Sequence, residues 1–411
     1  MGVKKHGILL KVAILLSGFA VMGGAAVAPA MAIMTEQFSK EYSPTIIMLL
    51  ASIPQFSLIV ISPIFGKLTD IFKRRTLMTF AFATYLIGGL GPFLVTESLP
   101  LILLFRFILG VSMAILIPLS AIFVDDFYEG QEKSTMLGFN LGVSLIGGTV
   151  LQYLGGYLAD IHWLTCFFVY LIIIPVALVA FFVIPEPDKK TAVATADTTN
   201  VAASVAKRSK IPVTAWIVII GTTFYHIVFF TFVTNAAFLV DQGIDGVSFG
   251  TGAQAGMAFS FMTIGGALGG LILGPVYKFA NKQCLPIGIL LVSLGFAVCF
   301  FSTSLVMVFV GALLCGIGNG LTMAALNAVG AFVVKPDRAP LVLSLIVAFM
   351  GLGQTIQPLV FDPILAALGM STGREAFLVG LAMGVILSAI FFFVLLGKKK
   401  DEDTTADANA A

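Results

Sequence analysis

Apolar runs long enough to cross a lipid bilayer recur along almost the whole chain, and nothing constrains its fold more. They lie near residues 8–34, 45–66, 76–96, 99–123, 135–158, 162–184, 212–240, 250–276, 284–302, 305–334, 341–369 and 375–396. A spanning helix needs roughly 20 such residues. The runs are continuous rather than alternating, which excludes a β-barrel and predicts an all-α integral membrane protein of twelve transmembrane helices. Only 11% of the 411 residues are charged, against roughly 25% for a soluble domain. With a net charge of +2 and its charges scattered, the chain is not a nucleic-acid binder. Cys166, Cys284, Cys299 and Cys315 fall in or beside apolar runs without metal-ligand spacing, so packing is their expected role.

Lys4, Lys5, the apolar run and Ala30-Met31-Ala32 have the outline of a secretory signal. The run is too long for a signal core, and its removal would leave eleven spans. With the N-terminus inside, alternation of twelve spans puts 20 of the 23 Lys and Arg residues on the cytoplasmic side. That bias fixes the expected orientation, with both termini cytoplasmic and the chain in the cytoplasmic membrane.

Residues 185–211 open with Pro185-Glu186-Pro187 and continue through Ala, Thr, Asp and Val to Lys207-Arg208-Ser209-Lys210. This polar stretch is the expected cytoplasmic linker between an N-terminal six-helix half, 1–184, and a C-terminal half, 212–397. A charged tail, 398–411, is expected to be disordered. The halves echo one another: Gly66 to Arg75 follows the second span and Gly274 to Gln283 follows the eighth, their glycines 208 residues apart. Paired halves of this kind are a transporter architecture, with the solute site between them near midplane.

The first echo segment resembles the cytoplasmic signature of the major facilitator superfamily, with Gly66, Leu68, Asp70, Arg74 and Arg75 in its main positions; Lys73 and Ile71 depart from it. Arg106-x-x-x-Gly110 resembles the family's motif in the fourth span, and Gly155-Gly156-Tyr157-Leu158-Ala159-Asp160 its junction of spans five and six. The resemblance implies the two-half fold, alternating access and a cytoplasmic latch made by Asp70 against the start of span eleven. A carboxylate at a helix N-terminus gains roughly 0.3–1 kcal/mol. Arg74 and Arg75 would then hold neighbouring carboxylates or lipid headgroups. Exporters of this family usually carry a Gly-Pro pair in the fifth span, where Leu151 and Gln152 stand here.

A short set of polar residues inside spans supplies the candidates for solute and proton handling. Arg106 lies ~10 Å from the outer end of its helix, where a charge must find partners. It could anchor an anion, tune a carboxylate, or bond backbone carbonyls as structural glue. Asp362, between Pro358 and Pro363, is the best intramembrane proton carrier; a helix-bend cap is the other reading. His226, one turn after Thr222 and one before Phe229 and Phe230, could bind solute, titrate or pack. Asn319 beside Thr322, Gln354 beside Gln357, and Gln55 either line a cavity or bridge helices. The glycines of Gly265-Gly266-x-x-Gly269-Gly270 and Gly138-x-x-x-Gly142 are expected to let spans eight and five, from opposite halves, approach and rock.

No enzyme constellation, Walker loop or metal cluster is present in the sequence, and no cofactor is expected. The reading is a monomeric secondary transporter of a small organic solute in the lipid bilayer, coupled to protons, with export favoured. An uptake symporter or facilitator for an organic anion held by Arg106 is the alternative. A non-transporting sensor or scaffold would need an output domain, and a channel would not need the latch.

Overall fold

A computed structural model describes residues 7–186, 211–244, 246–332, 334, 339–371 and 373–408. The linker positions 187–210, and the side chains of a few helical residues including Gly66 and Asp70, lie outside the described residues. The described residues are mainly helical: α1 (Ile8–Phe19), α2 (Met31–Phe38), α3 (Pro44–Ile71), α4 (Arg74–Leu90), α5 (Leu99–Phe127), α6 (Gly130–Ala159), α7 (Ile173–Val183), α8 (Val213–Gln242), α9 (Gly252–Ala280), α10 (Cys284–Phe300), α11 (Leu305–Phe332), α12 (Ala339–Ala367) and α13 (Arg374–Ala408). Tighter 3₁₀ winding over Ala20–Ala30 joins α1 to α2, and Trp163–Ile172 leads into α7. Among the described residues the only β pairing is one bridge between Ile244 and Val247.

Each expected span corresponds to a helix or helix pair. Among the described residues ten helices are long and apolar enough to cross a membrane, and a further pair, bent by 46°, corresponds to the first span. Cys284–Phe300 is a shorter apolar helix. The bend has a local cause: Gly23, Gly24 and Pro29 lie inside the Ala20–Ala30 segment, and glycine and proline both weaken an α-helical ladder. Leu271, Phe182, Phe279 and Phe393 project outward, as the bilayer requires of side chains on a membrane bundle. The four cysteines are buried free thiols.

Helices extend past several apolar runs. Asp70 was expected in a loop between spans two and three, but α3 continues to Ile71 and leaves only Phe72 and Lys73 between the helices. The amide of Phe72 still donates to the Leu68 carbonyl, at 2.9 Å. At the other end of the chain the α13 backbone stays helical to Ala408, into the tail expected to be disordered. Its Lys, Glu and Ala residues favour helix propagation.

One end of the molecule gathers Lys11, Arg74, Arg75, Lys133 and Lys278 and is called the basic face below; the other, where Glu36, Glu97, Asp160 and Asp241 lie, is the distal face.

Candidate functional site

Arg106 is wholly buried, and all three of its nitrogens are occupied. Nε donates to the Leu50 carbonyl at 2.8 Å, Nη1 to the Tyr170 hydroxyl at 2.6 Å and Nη2 to the Gly24 carbonyl at 2.5 Å. The Leu50 carbonyl needs this donor, because the residue four positions on is Pro54, which has no N–H. Gly24 and Gly23, whose carbonyl accepts from the Tyr170 hydroxyl at 3.0 Å, belong to the broken first span. Arg106 therefore fastens α3, at the carbonyl that Pro54 leaves without an amide donor, to the break between α1 and α2. Gly110, one turn on, makes this possible: a Cβ there would lie 2.4 Å from the Pro54 carbonyl oxygen. Of the roles open to Arg106, binding backbone carbonyls is the one this geometry carries.

Arg74 and Arg75 also act within the N-terminal half. Both of their backbone amides donate to Glu186, at 2.9 and 3.0 Å, so Glu186 caps α4 from the far end of the half. The Arg74 guanidinium reaches Asp126 at 3.5 Å and the Thr69 carbonyl at 3.0 Å. Arg75 lies over the Phe181 ring at 4.4 Å and donates to the Phe181 carbonyl at 2.7 Å. Lys11 pairs with Glu132 at 2.6 Å, and Lys133 pairs with Asp125. Burial pushes the Tyr128 phenol above its ordinary range, which keeps it neutral beside Lys11, 5.8 Å from its ring. The basic rim thus ties this half into one body. The latch expected of Asp70, with Gly66 before it, falls on side chains outside the described residues.

In the C-terminal half the polar candidates bridge helices. The Tyr225 hydroxyl donates to Asn319 Oδ1 at 2.8 Å, and the Thr322 side chain also bonds that hydroxyl. His226 is buried, its Nδ1 2.8 Å from the Thr222 carbonyl and its ring edge-on to Tyr225. Gln357 is buried and accepts from the Thr234 hydroxyl at 3.1 Å. Gln354 and Gln55 are half-buried. A Cβ on Gly351 would lie 3.4 Å from the Gln55 carbonyl oxygen, so α3 and α12 meet there, across the two halves. Asp362 is half-buried, its two oxygens enclosed without a hydrogen bond of ordinary geometry. The Thr45 side chain, in the first turn of α3, faces it.

The expected glycine contact between spans five and eight is relocated. Gly265 and Gly269 pack inside their own half, where a Cβ would lie 2.4 Å from the Leu313 oxygen and 2.0 Å from the Ile317 oxygen of α11. Gly138, Gly142, Gly270 and Gly274 face open space. The halves touch nearer the distal face instead. A Cβ on Gly156 would meet the Gly252 oxygen at 2.0 Å, and one on Gly256 the Gln152 oxygen at 2.7 Å. Ser260 donates to the Thr149 carbonyl and Thr263 to Gln152 Oε1, both at 3.2 Å. Gln152, which departs from the exporter pattern, is thus a contact residue between the halves. Asp160 accepts the Gly252 amide at 2.5 Å, the Ala253 amide at 2.9 Å and the Thr251 hydroxyl at 2.5 Å. Sequence reasoning placed Asp160 in a family-like junction without giving it a partner; the signal was a carboxylate at the end of α6, level with the start of α9.

An all-helical membrane bundle whose inner helices are bridged by polar side chains, with α6 meeting α9 near the distal face, has the architecture of a membrane carrier. The family model of the Major Facilitator Superfamily matches residues 13–252 and 235–410, and the chain belongs to that family of transporters. It is 33% identical over 106 residues to a multidrug resistance protein, fnx1, of Schizosaccharomyces pombe, an alignment spanning 26% of this chain and 20% of that protein. It is 30% identical over 132 residues to an efflux pump, dotC, of Dothistroma septosporum, spanning 32% and 23%. The chain thus covers about a fifth to a quarter of these relatives' length. Solved structures share the fold: the nucleoside transporter NupG (TM-score 0.77, 14% identity, 94% and 98% of the two chains), and an inward-facing, unoccupied bacterial homologue of the human lysosomal transporter Spinster (0.72, 17%, 94% and 95%). A D-xylose–proton symporter is similar as well (0.71, 14%, 93% and 96%).

Proposed function

We propose that the chain is a secondary active carrier of a small organic solute, working by alternating access in the cytoplasmic membrane with its basic face and both termini inside. The observation that carries this reading is the unequal contact of α6 and α9, closed from Thr149 to Asp160 and open at Gly138, Gly142, Gly270 and Gly274. On this reading the geometry is the state open to the cytoplasm. The linker 185–211 joins the two moving halves, and Asp70 is kept as the cytoplasmic latch on its sequence signature alone.

Asp362 is the proton site of this reading. Its two oxygens are enclosed near the distal face, so a proton bound there is held away from bulk water until the carrier changes its access. Tyr225, His226, Asn319, Gln354, Gln357 and Gln55 supply polar groups for a solute between α8, α11, α12 and α3. Export is favoured by the names of the curated relatives. Uptake of an anion held by Arg106 is the second reading; each nitrogen of the side chain already donates one bond within the N-terminal half.

A ligand-stabilisation screen on purified protein, followed by flux of each hit in liposomes under an imposed pH gradient, tests the reading. Hits should be transported in response to the gradient. Asp362→Asn should lose gradient-driven flux and keep solute exchange. Full gradient-driven flux in that variant would remove Asp362 as the proton site.

A further inference from the structure

Resting on the alternating-access reading, we propose that Asp160 is the lock of the distal gate: it bonds the first turn of α9 when the gate is closed and lets go when it opens. Asp160 follows α6, in the N-terminal half, and its three partners, Thr251, Gly252 and Ala253, belong to the C-terminal half. The first amides of a helix have no partner in their own helix and carry its positive end. A carboxylate from the other half satisfies two of them and adds a charge-assisted bond from a hydroxyl. Both elements carry other interactions, but these three bonds exist only while the halves are together.

The glycines give the lock its fit. Gly156 lies one turn before Asp160, and Gly252 is itself a bonding partner; only hydrogen at their α-carbons lets the backbones come close enough for the carboxylate to reach. Toward the basic face the same two helices offer glycine surfaces with nothing against them. The contact is therefore local to one end, as a gate requires, and is not a continuous helix seam.

The internal repeat supplies a comparison inside the same molecule. α3 begins at Pro44 and α9 at Gly252, 208 residues apart, matching the spacing of the echo glycines. Near the distal face α12 turns Asp362 toward Thr45, in the first turn of α3, as α6 turns Asp160 toward α9. The N-cap residue of α3, Ser43, makes no side-chain capping bond, and the Asp362 oxygens make no hydrogen bond of ordinary geometry. Of the two related junctions, the one at Asp160 is latched and the one at Asp362 is not. This divides the work: Asp160 holds the gate, and Asp362 is left free for the proton.

Distance measurements between spin labels test the lock. One pair, at Leu94→Cys and Phe301→Cys, reports the distal face; a second, at Phe139→Cys and Phe279→Cys, reports the basic face. All four positions are exposed, and the native cysteines are buried. The protein should show a dominant short distal distance. Asp160→Ala should shift the open-to-closed ratio at the distal face roughly tenfold toward open, the scale expected for losing charge-assisted bonds at a partly screened site. The basic-face distance should shorten in step. Thr251→Val, which removes one donor and leaves the carboxylate, should move the ratio the same way by a smaller factor, and it serves if Asp160→Ala does not fold. Two distal populations whose ratio is unchanged in both variants would overturn the lock and leave alternating access standing. A single distal distance in the parent and both variants, across pH and salt, would overturn both.

Discussion

Replacing Arg106 by alanine is expected to destabilise the N-terminal half by about 3 kcal/mol or more, because three buried acceptors lose their donor and each unsatisfied group costs on the order of 1–3 kcal/mol. Thermal unfolding of the purified protein in detergent reads the loss. Arg106→Lys should recover only part of it: one ammonium on a flexible stem cannot span the Leu50 carbonyl, the Gly24 carbonyl and the Tyr170 hydroxyl, which lie on three different elements. The sharper test uses Pro54. In a Pro54→Ala background the new amide can serve the Leu50 carbonyl, so losing Arg106 should cost about 1 kcal/mol less there. An Arg106→Ala protein as stable as the parent, or a cycle with no coupling to Pro54, would show that Arg106 does not brace α3 at Pro54.

That arrangement also marks the limit of what the sequence could tell. The burial of Arg106 and its need for partners follow from a charge inside an apolar run. Which partners it takes depends on Pro54, 52 residues away in the sequence, and on Gly23 and Gly24 in a break that hydropathy smooths over. Proline and glycine were legible as helix disturbances; the carbonyls they release, and the side chain that collects them, appear only when three helices are packed. Asp362 was legible for the opposite reason. Its flanking prolines and isolation announce a carboxylate without local partners, and the structure gives it none of ordinary geometry.

The glycine patterns were the least reliable guide. Small residues four apart signal that some helix comes close, but not which one. Gly265 and Gly269 serve α11 in their own half, whereas the gate uses Gly156, Gly252 and Gly256, which lie on two helices separated by α7 and α8 and follow no single repeat. The two-half fold, by contrast, was legible because it rests on quantities that add along the chain, apolar length and the side on which each Lys or Arg falls. A contact between distant glycines does not add in that way.

Gly156→Val should therefore hold the distal gate open, and the reason is where the clash can go. The added Cβ would lie 2.0 Å from the Gly252 carbonyl oxygen and 3.1 Å from the Pro29 Cβ. Gly252 belongs to the other half, so rotation of the halves relieves the main overlap without disturbing either core. Forced overpacking costs roughly 1–3 kcal/mol where it cannot be relieved, which sets the shift toward the open distal state at about tenfold or more. The distal spin-label pair reads it, and solute flux should fall because the cycle can no longer close that gate. Gly142→Val, facing open space, should leave the distal distance unchanged. Gly269→Val meets the Ile317 oxygen at the same 2.0 Å, but inside one half, where no rigid-body motion can help; it should lower the unfolding temperature and leave the gate equilibrium of the surviving protein unaltered. If Gly156→Val behaves like Gly269→Val, losing stability without opening the distal face, the contact is a static seam and the two halves do not part there.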